Sequence, residues 1–448
     1  MLASPSFNPH RQLIFSTLTV VGLTLVAKLS GAFKEAVMAD GMGASALMDQ
    51  FVFAFMVATW PAAVLTSVLT IALTPVLARL QPAAASGGKR QAQFLAQLWC
   101  AWTALGALLA LAAWLSFPYL SPVAAAGGPK LAAAVGLVSF ISCMTALVGT
   151  VLTSRGRQIG ALLEGLPSLV LGGLMLSSVW AKADTLIYGL VLGTGLQLLW
   201  LLAANARLTV NLPGQAKWAW PQPSAAWKDF FSGLGYASAG YVLLSAAATI
   251  GLVVASRMGE GSLASLNYAS RITALLTGLL ATAVNRVAIV HFCGKNALDS
   301  NDWRNWGSVA AAFTLAAAVA SAVLMVLAPQ IVAGLFERGE FKAQETELVS
   351  RLLRWHVSQL TPFLASVVLC AYLSATGGFR TLFIACLLCF LAELMMVMVG
   401  VEIWGLDAIA AAPMVGRVAM TGYLLMALLM RRGSKPWPIT TNSSTFPA

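Results

Sequence analysis

Charge and histidine are what this chain has least of. Only 10% of its 448 residues are Asp, Glu, Lys or Arg, and there are three histidines. A soluble globular domain carries about a quarter of its residues charged; with 59% hydrophobic residues and a mean hydropathy of +0.82, this chain lies outside that class. His10, His291 and His356 are scattered, and no Gly-rich phosphate loop, HExxH helix or nucleophile elbow occurs, so the groups that hydrolysis or acyl transfer require are not assembled by the sequence. No enzyme activity and no cofactor are expected. The six cysteines (Cys100, Cys143, Cys293, Cys370, Cys386, Cys389) sit in or at the ends of apolar runs, which predicts no disulfide framework. Cys386 and Cys389 form a CxxC, but inside an apolar helix that spacing reads as packing. The net charge of +11 stands on no basic and aromatic soluble patch, and no nucleic-acid partner is expected.

What the chain has is apolar length. Runs near the ~20 residues needed to cross ~30 Å of hydrocarbon occur at about 13–38, 51–77, 95–117, 130–152, 160–181, 184–204, 232–255, 270–292, 307–336, 353–376, 381–403 and 406–430. The reading is an all-α polytopic membrane protein with about twelve transmembrane helices. The first run is too long for a signal peptide and is read as the first span. Arg11, Arg79, Arg155, Arg157, Arg207, Lys228, Arg380, Arg431 and Arg432 are among the larger set of cations on one side of these spans, while the other carries Lys34, Lys130, Lys182, Arg257, Arg338, Lys342, Arg351 and Arg354 together with acids that include Glu337, Glu340, Glu345, Glu347, Glu402 and Asp407. The positive-inside rule then places both termini in the cytoplasm.

The longest central polar break, 205–230, carries Pro213, Pro221, Pro223, Trp218, Trp220 and Trp227 among basic residues, a composition suited to a linker at the cytoplasmic interface. It separates an N-lobe (1–204) from a C-lobe (231–432), followed by a cytoplasmic tail (433–448). The halves echo each other: Ala39 to Leu47 resembles Ala255 to Leu263, 216 positions on, and Leu152 to Gly156 resembles Leu373 to Gly377, 221 positions on. A six-span repeat has even parity, so its two copies share one orientation. The expected architecture is two pseudo-symmetric six-helix lobes around a central cavity.

Four cations, Lys28, Arg271, Arg286 and Arg417, lie within the apolar runs. On the lenient scale a cation at mid-bilayer costs ~2.5–3.5 kcal/mol, so such residues usually face a watery cavity or a counter-charge. They point to a path for something anionic, although Lys28, Lys34 and Arg286 near span ends could equally snorkel to an interface. Glu393 and Arg417 lie near the middles of consecutive antiparallel spans and are expected at equal depth, either as a fixed ion pair or as a proton or sodium site. The segment from Phe336 to Arg354 reads as an amphipathic helix on the outer surface.

The strongest local pattern runs from Ala27-Lys28-Leu29-Ser30-Gly31-Ala32-Phe33-Lys34-Glu35 through Gly41-Met42-Gly43 to Met48-Asp49-Gln50-Phe51. It is joined by Thr74-Pro75-Val76-Leu77, Asn267-Tyr268-Ala269-Ser270-Arg271, Phe336-Glu337-Arg338-Gly339-Glu340-Phe341 and Ala371-Tyr372-Leu373-Ser374-Ala375-Thr376-Gly377. In this order the motifs resemble the MurJ (MviN) lipid II flippases of the multidrug/oligosaccharidyl-lipid/polysaccharide exporter superfamily, over about residues 15–430. Lys28 and Lys34 stand where that family carries arginines, Glu35 where it carries an acid, and Asp49 where its aspartate begins span two. Trp60 to Leu65 replaces a family segment that holds cavity arginines, and Ser270 stands at a family aspartate. The family's last two spans are missing, and twelve spans is the count usual for exporters of polysaccharide repeat units.

The resemblance implies an alternating-access flippase in the bacterial inner membrane that moves an undecaprenyl-diphosphate-linked saccharide, either an exopolysaccharide repeat unit or lipid II. Lys28, Lys34, Arg271 and Arg417 are the expected headgroup ligands, and Glu35, Asp49 and Glu393 the expected coupling or gating acids. Turnover would draw on membrane potential, protons or sodium. Membrane lipids and a polysaccharide or peptidoglycan polymerase are the expected partners. The alternative within the superfamily is a cation-coupled multidrug antiporter, which would favour an acid-lined cavity.

Overall fold

The computed structural model of the chain describes residues 9–80, 85–155, 157, 163–177, 182–209, 224–292, 302–375 and 378–430. The polar start, most of the 205–230 linker and the 433–448 tail lie outside the described residues, as do Cys293 and the side chains of His10 and Arg286. Every regular element among the described residues is helical: α1 (Pro9–Met42), α2 (Ala46–Arg79), α3 (Ala85–Leu120), α4 (Pro122–Ala126), α5 (Gly128–Ser154), α6 (Leu166–Ser177), α7 (Lys182–Thr209), α8 (Ala225–Gly233), α9 (Tyr236–Ala255), α10 (Ser262–Phe292), α11 (Asp302–Phe336), α12 (Ala343–Ser358), α13 (Leu360–Ala375), α14 (Phe379–Trp404) and α15 (Leu406–Met430). In hydrocarbon each backbone amide must bond within its own segment, which leaves a helix as the available solution for isolated apolar runs. Nine of these helical stretches, among the described residues, are long and apolar enough to cross a membrane.

Each predicted span has its helix, with two departures. Of the run read as 160–181, residues 163–177 are described, and there α6 contributes 12 helical residues, about 18 Å at 1.5 Å per residue. The amphipathic helix expected on the outer surface is α12, and its apolar face packs against protein. Val349, Leu352, Leu353, His356 and Val357 are buried against α10, α11 and α15, and α12 leads directly into α13 as one apolar stretch, Ala343–Ser374. Its polar face, with Glu347, Arg351 and Arg354, stays exposed.

The helices pack in two groups. In the first, α5 contacts α2, α3 and α7, and α6 bridges α1 and α7; in the second, α14 packs on α9 and α15, while α12 and α13 pack on α10, α11 and α15. Contacts between the groups run through α1 and α2 on one side and α9, α10 and α11 on the other. The α1–α2 and α9–α10 turns mark one end of the molecule, the turn end. Helix α8 marks the opposite, linker end, where its Trp227 and Phe230 are buried against Phe94 and Trp227 Nε1 donates to Gln97 Oε1 at 2.8 Å.

Apolar packing differs between the ends. At the turn end a single buried cluster joins both groups, with Met38, Met48, Phe51 and Phe53 from the first and Leu263, Tyr268, Phe336 and Phe341 from the second. Toward the linker end each group has its own cores: Leu69, Leu73, Leu98 and Leu147 in one, Leu369, Leu382, Cys389 and Leu424 in the other. Among the described residues, the two groups share one apolar core at the turn end and have separate cores toward the linker end.

Candidate functional site

The fused end is stitched by exchanged helix caps. The first amides of a helix have no partner within it and accept side-chain capping. Asp49 of α2 supplies that cap to α10, its carboxylate accepting from the N–H groups of Gly261 (2.7 Å) and Ala264 (2.6 Å). The second group answers in kind: Glu260 accepts from the Ala46 N–H at the start of α2 (3.1 Å), and Glu345 from the Ala44 N–H (3.0 Å). Because the two turns are the segments related by 216 positions, the exchange follows the internal repeat. Tyr268 O–H donates to the Gly43 carbonyl (3.0 Å), and Glu340 N–H to the Asp40 carbonyl (3.0 Å). Gly43 has φ of 55°, and a Cβ there would stand 2.7 Å from the Glu340 carbonyl oxygen, so backbones meet where a side chain would hold them apart.

Immediately inside this seal lies a mixed-charge cluster built by both groups. Glu35 Oε1 is 2.7 Å from Lys34 Nζ and 3.3 Å from Arg271 Nε, and its Oε2 accepts from Asn267 Nδ2 at 3.2 Å. Asn267 also positions the guanidinium, its Oδ1 accepting from Arg271 Nε at 3.1 Å. Lys34 Nζ lies 5.4 and 5.2 Å from the ring centroids of Phe51 and Phe55, and Arg271 Cζ 5.6 Å from Phe55, within the range of cation–π attraction. The side chains of Lys34 and Glu35 are 6% and 2% exposed, whereas Arg271 is 41% exposed. The guanidinium therefore presents one side to the lobe seam.

This geometry corrects the simplest reading of a purely cationic lining, because Glu35 already neutralises part of it. The neutralisation is imperfect. Lys34 and Glu35 are consecutive on a helix, yet Lys34 Nζ meets Glu35 Oε1 at 2.7 Å, and Arg271 Nε stands 3.3 Å from the same oxygen, so one carboxylate serves two cations. The cluster keeps one net positive charge.

Lys28 is the next cation along α1 toward the linker end, six residues or about 9 Å from Lys34. It is half-buried and reaches across the seam, its Cε 3.4 Å from the position of a Cβ on Gly278 of α10. Glu164, beside the start of α6, lies within its electrostatic reach. Lys28, Lys34 and Arg271 thus form a row along the α1–α10 seam.

Arg417 does not join that row. Its guanidinium packs on Phe363 within the second group, Cζ 5.2 Å from the ring centroid, with Nη1 3.8 Å from Met420 Sδ. The direct Glu393–Arg417 ion pair expected from the sequence does not form: among the described residues no N···O contact within 4.0 Å joins them, and Glu393 instead accepts from Cys389 Sγ at 3.3 Å. Equal depth on adjacent helices sets proximity, while the rotation of each helix about its axis sets contact. Sequence reasoning assigned no role to Asn267, Phe51, Phe55, Glu260 or Glu345. A signal existed for three of them, since Asn267 and Arg271, like Phe51 and Phe55, are spaced i, i+4 and share a helix face.

The family profile described as lipid II flippase MurJ matches residues 38–443. No protein of curated function matches the chain. Among solved structures, a lipid II flippase MurJ in an inward closed conformation superposes with a TM-score of 0.75 at 16% identity, covering 92% of this chain and 87% of that one. Multidrug resistance MATE family transporters of the MOP superfamily superpose in an inward-facing conformation (TM-score 0.68, 15% identity, 93% and 97% covered) and in an outward-facing one (0.61, 17%, 95% and 96%). At such identities the likeness establishes the fold.

Proposed function

The chain belongs to the lipid II flippase MurJ family, and from that premise we propose that it carries a polyprenyl-diphosphate-linked saccharide between membrane leaflets by alternating access. The observation that supports this reading is a carboxylate shared between two cations: Glu35 sits between Lys34 of one lobe and Arg271 of the other. A diphosphate offers more charge and more acceptor oxygens than one carboxylate, and arginine can engage it through two N–H groups. On this reading the headgroup enters between the separately packed ends, meets Lys28 first, and displaces Glu35 from Lys34 and Arg271. The prenyl tail stays in lipid at the lobe seam.

Loss of Glu35 from this bridge removes one of the ties across α1 and α10, next to the capped turns. Headgroup binding is thereby coupled to release of the turn end, and the exchanged caps re-form once the headgroup has left. The basic loops (Arg79, Arg155, Lys228, Arg380) favour a linker end in the cytoplasm of a bacterial inner membrane, and on this reading capture is cytoplasmic and release is on the opposite side. Moving the one surplus positive charge of the cluster through 100 mV is worth about 2.3 kcal/mol, which makes membrane potential a sufficient bias for resetting. A carrier of cationic drugs would need net negative charge where this cluster is net positive.

Reconstituted protein should flip lipid II or a diphosphate-linked repeat unit in vesicles and leave a cationic dye untouched. Removing a charge-assisted contact worth ~1.5–3 kcal/mol should cost Lys34→Ala and Arg271→Ala each about 10- to 100-fold in headgroup affinity. Unchanged flipping in both variants removes the site assignment. Comparing the two lipid cargoes decides between cell-wall and exopolysaccharide supply.

A further inference from the structure

The headgroup cluster leaves two ionisable residues of the second lobe unused. Glu393 of α14 is 6% exposed, and among the described residues its hydrogen bond comes from Cys389 Sγ. Gly416 of α15 packs directly on the carboxyl, where a Cβ would stand 2.6 Å from Oε1. Arg417, the next residue, turns away to Phe363 of α13 and leaves its Nε buried without a hydrogen-bond partner. A carboxylate and a guanidinium this close in hydrocarbon pair when both are charged, because an uncompensated buried charge costs ~3–5 kcal/mol. Their separation is the arrangement that a protonated Glu393 would take.

We propose that Glu393 and Arg417 form a proton-binding site in the second lobe, distinct from the headgroup cluster. With the proton bound, Glu393 is satisfied by Cys389 and Arg417 rests on Phe363. When the proton passes to water, the carboxylate draws the guanidinium from Phe363, and proton uptake sends it back. The other titratable groups facing the site are Cys386 and Cys389 on α14, Cys370 on α13 and Tyr241 on α9. Thiols and phenol are neutral near pH 7, so Arg417 is the charged neighbour that decides the outcome. Phe363 links the site to the lobe seam, because α13 packs on α10, the helix that carries Arg271. The inference goes beyond the flippase reading and does not depend on what is flipped.

Infrared difference spectroscopy of the full chain in lipid nanodiscs, titrated from acid to alkaline pH without any lipid-linked substrate, reads the site directly. The wild type should show the carbonyl stretch of a buried carboxylic acid that disappears on alkalinisation, and Glu393→Gln, which keeps the shape of the side chain, should lack that component. Arg417→Leu removes the cation favouring the carboxylate and should move the transition up by about one to three pH units, while Arg417→Lys should restore most of the wild-type midpoint. An identical band in Glu393→Gln, a Glu393 ionised throughout, or an unmoved midpoint in Arg417→Leu would each overturn the proposal. Loss of flipping in Lys34→Ala leaves these spectra unchanged, so the two readings fail separately.

Discussion

At the scale of single residues, the turn end depends on carboxylates that cap helices they do not belong to. Asp49→Asn keeps the shape of the cap but removes its charge, and Asp49→Ala removes the cap, which is worth ~0.5–2 kcal/mol. Thiol labelling of Ala44→Cys should therefore be faster in the Asp49→Ala background than in the Asp49→Asn one, and slowest with Asp49 intact. Equal rates in all three would show that the cap does not hold the turn end shut. Glu35→Gln should act differently. It strands Lys34 among Phe51 and Phe55 without an anion, and a buried pair broken from one side costs ~3–5 kcal/mol. The melting temperature in detergent should fall for Glu35→Gln and recover in Glu35→Gln combined with Lys34→Met.

Arg271 was legible as a charge set in an apolar run, where it needs a reason, whereas Lys34, Glu35 and Asp49 were singled out by their place in the family's motif. What they bond to was not legible. Glu35 meets Asn267 across 232 positions and Asp49 meets Gly261 across 212, and no local spacing encodes a partner that only the docking of two lobes brings near.

At the scale of elements, apolar run length located the spans well, and it failed where composition is ambiguous. Helix α12 carries one apolar stripe and one charged face, a pattern that reads alike whether the stripe meets lipid or protein. Burial of Val349, Leu352 and Leu353 resolves it in favour of protein. The short α8 shows the reverse relation between size and consequence. Ser224 caps its start, accepting from the Trp227 N–H at 3.4 Å, and Arg79 pairs with Asp229 at 3.2 Å on an exposed surface, where such a pair adds little. Trp227 holds the helix, through Gln97, Phe94 and Phe230. Truncating a buried tryptophan typically costs ~3–5 kcal/mol, so limited proteolysis of Trp227→Ala should cut near α8 far faster than in the wild type. Arg79→Ala should be cut at the wild-type rate.

At the scale of the whole molecule, the all-helical membrane architecture was legible in the sequence, because the number and length of apolar runs are properties of order along the chain. Which end is closed was not readable, since both ends are equally rich in turn residues. The division of apolar packing supplies that answer, and it can be tested by arresting it. Cysteines placed at Ala46 and Glu260, whose backbone amide and carboxylate now lie 3.1 Å apart, joined by a short cleavable thiol reagent, should stop flipping completely. Reductive cleavage should restore it. Persistent flipping with the cross-link intact would mean that the turn end need not open.

The single apolar core at the turn end sets where work must be done. Parting Met48, Phe51, Tyr268 and Phe341 admits water to surfaces that now touch one another, at about 25 cal/mol for each Å² wetted, while among the described residues the apolar clusters toward the opposite end are separate. On the proposed flippase reading, opening the turn end is the step that wets this shared apolar surface, so an input of voltage or protons would be spent there.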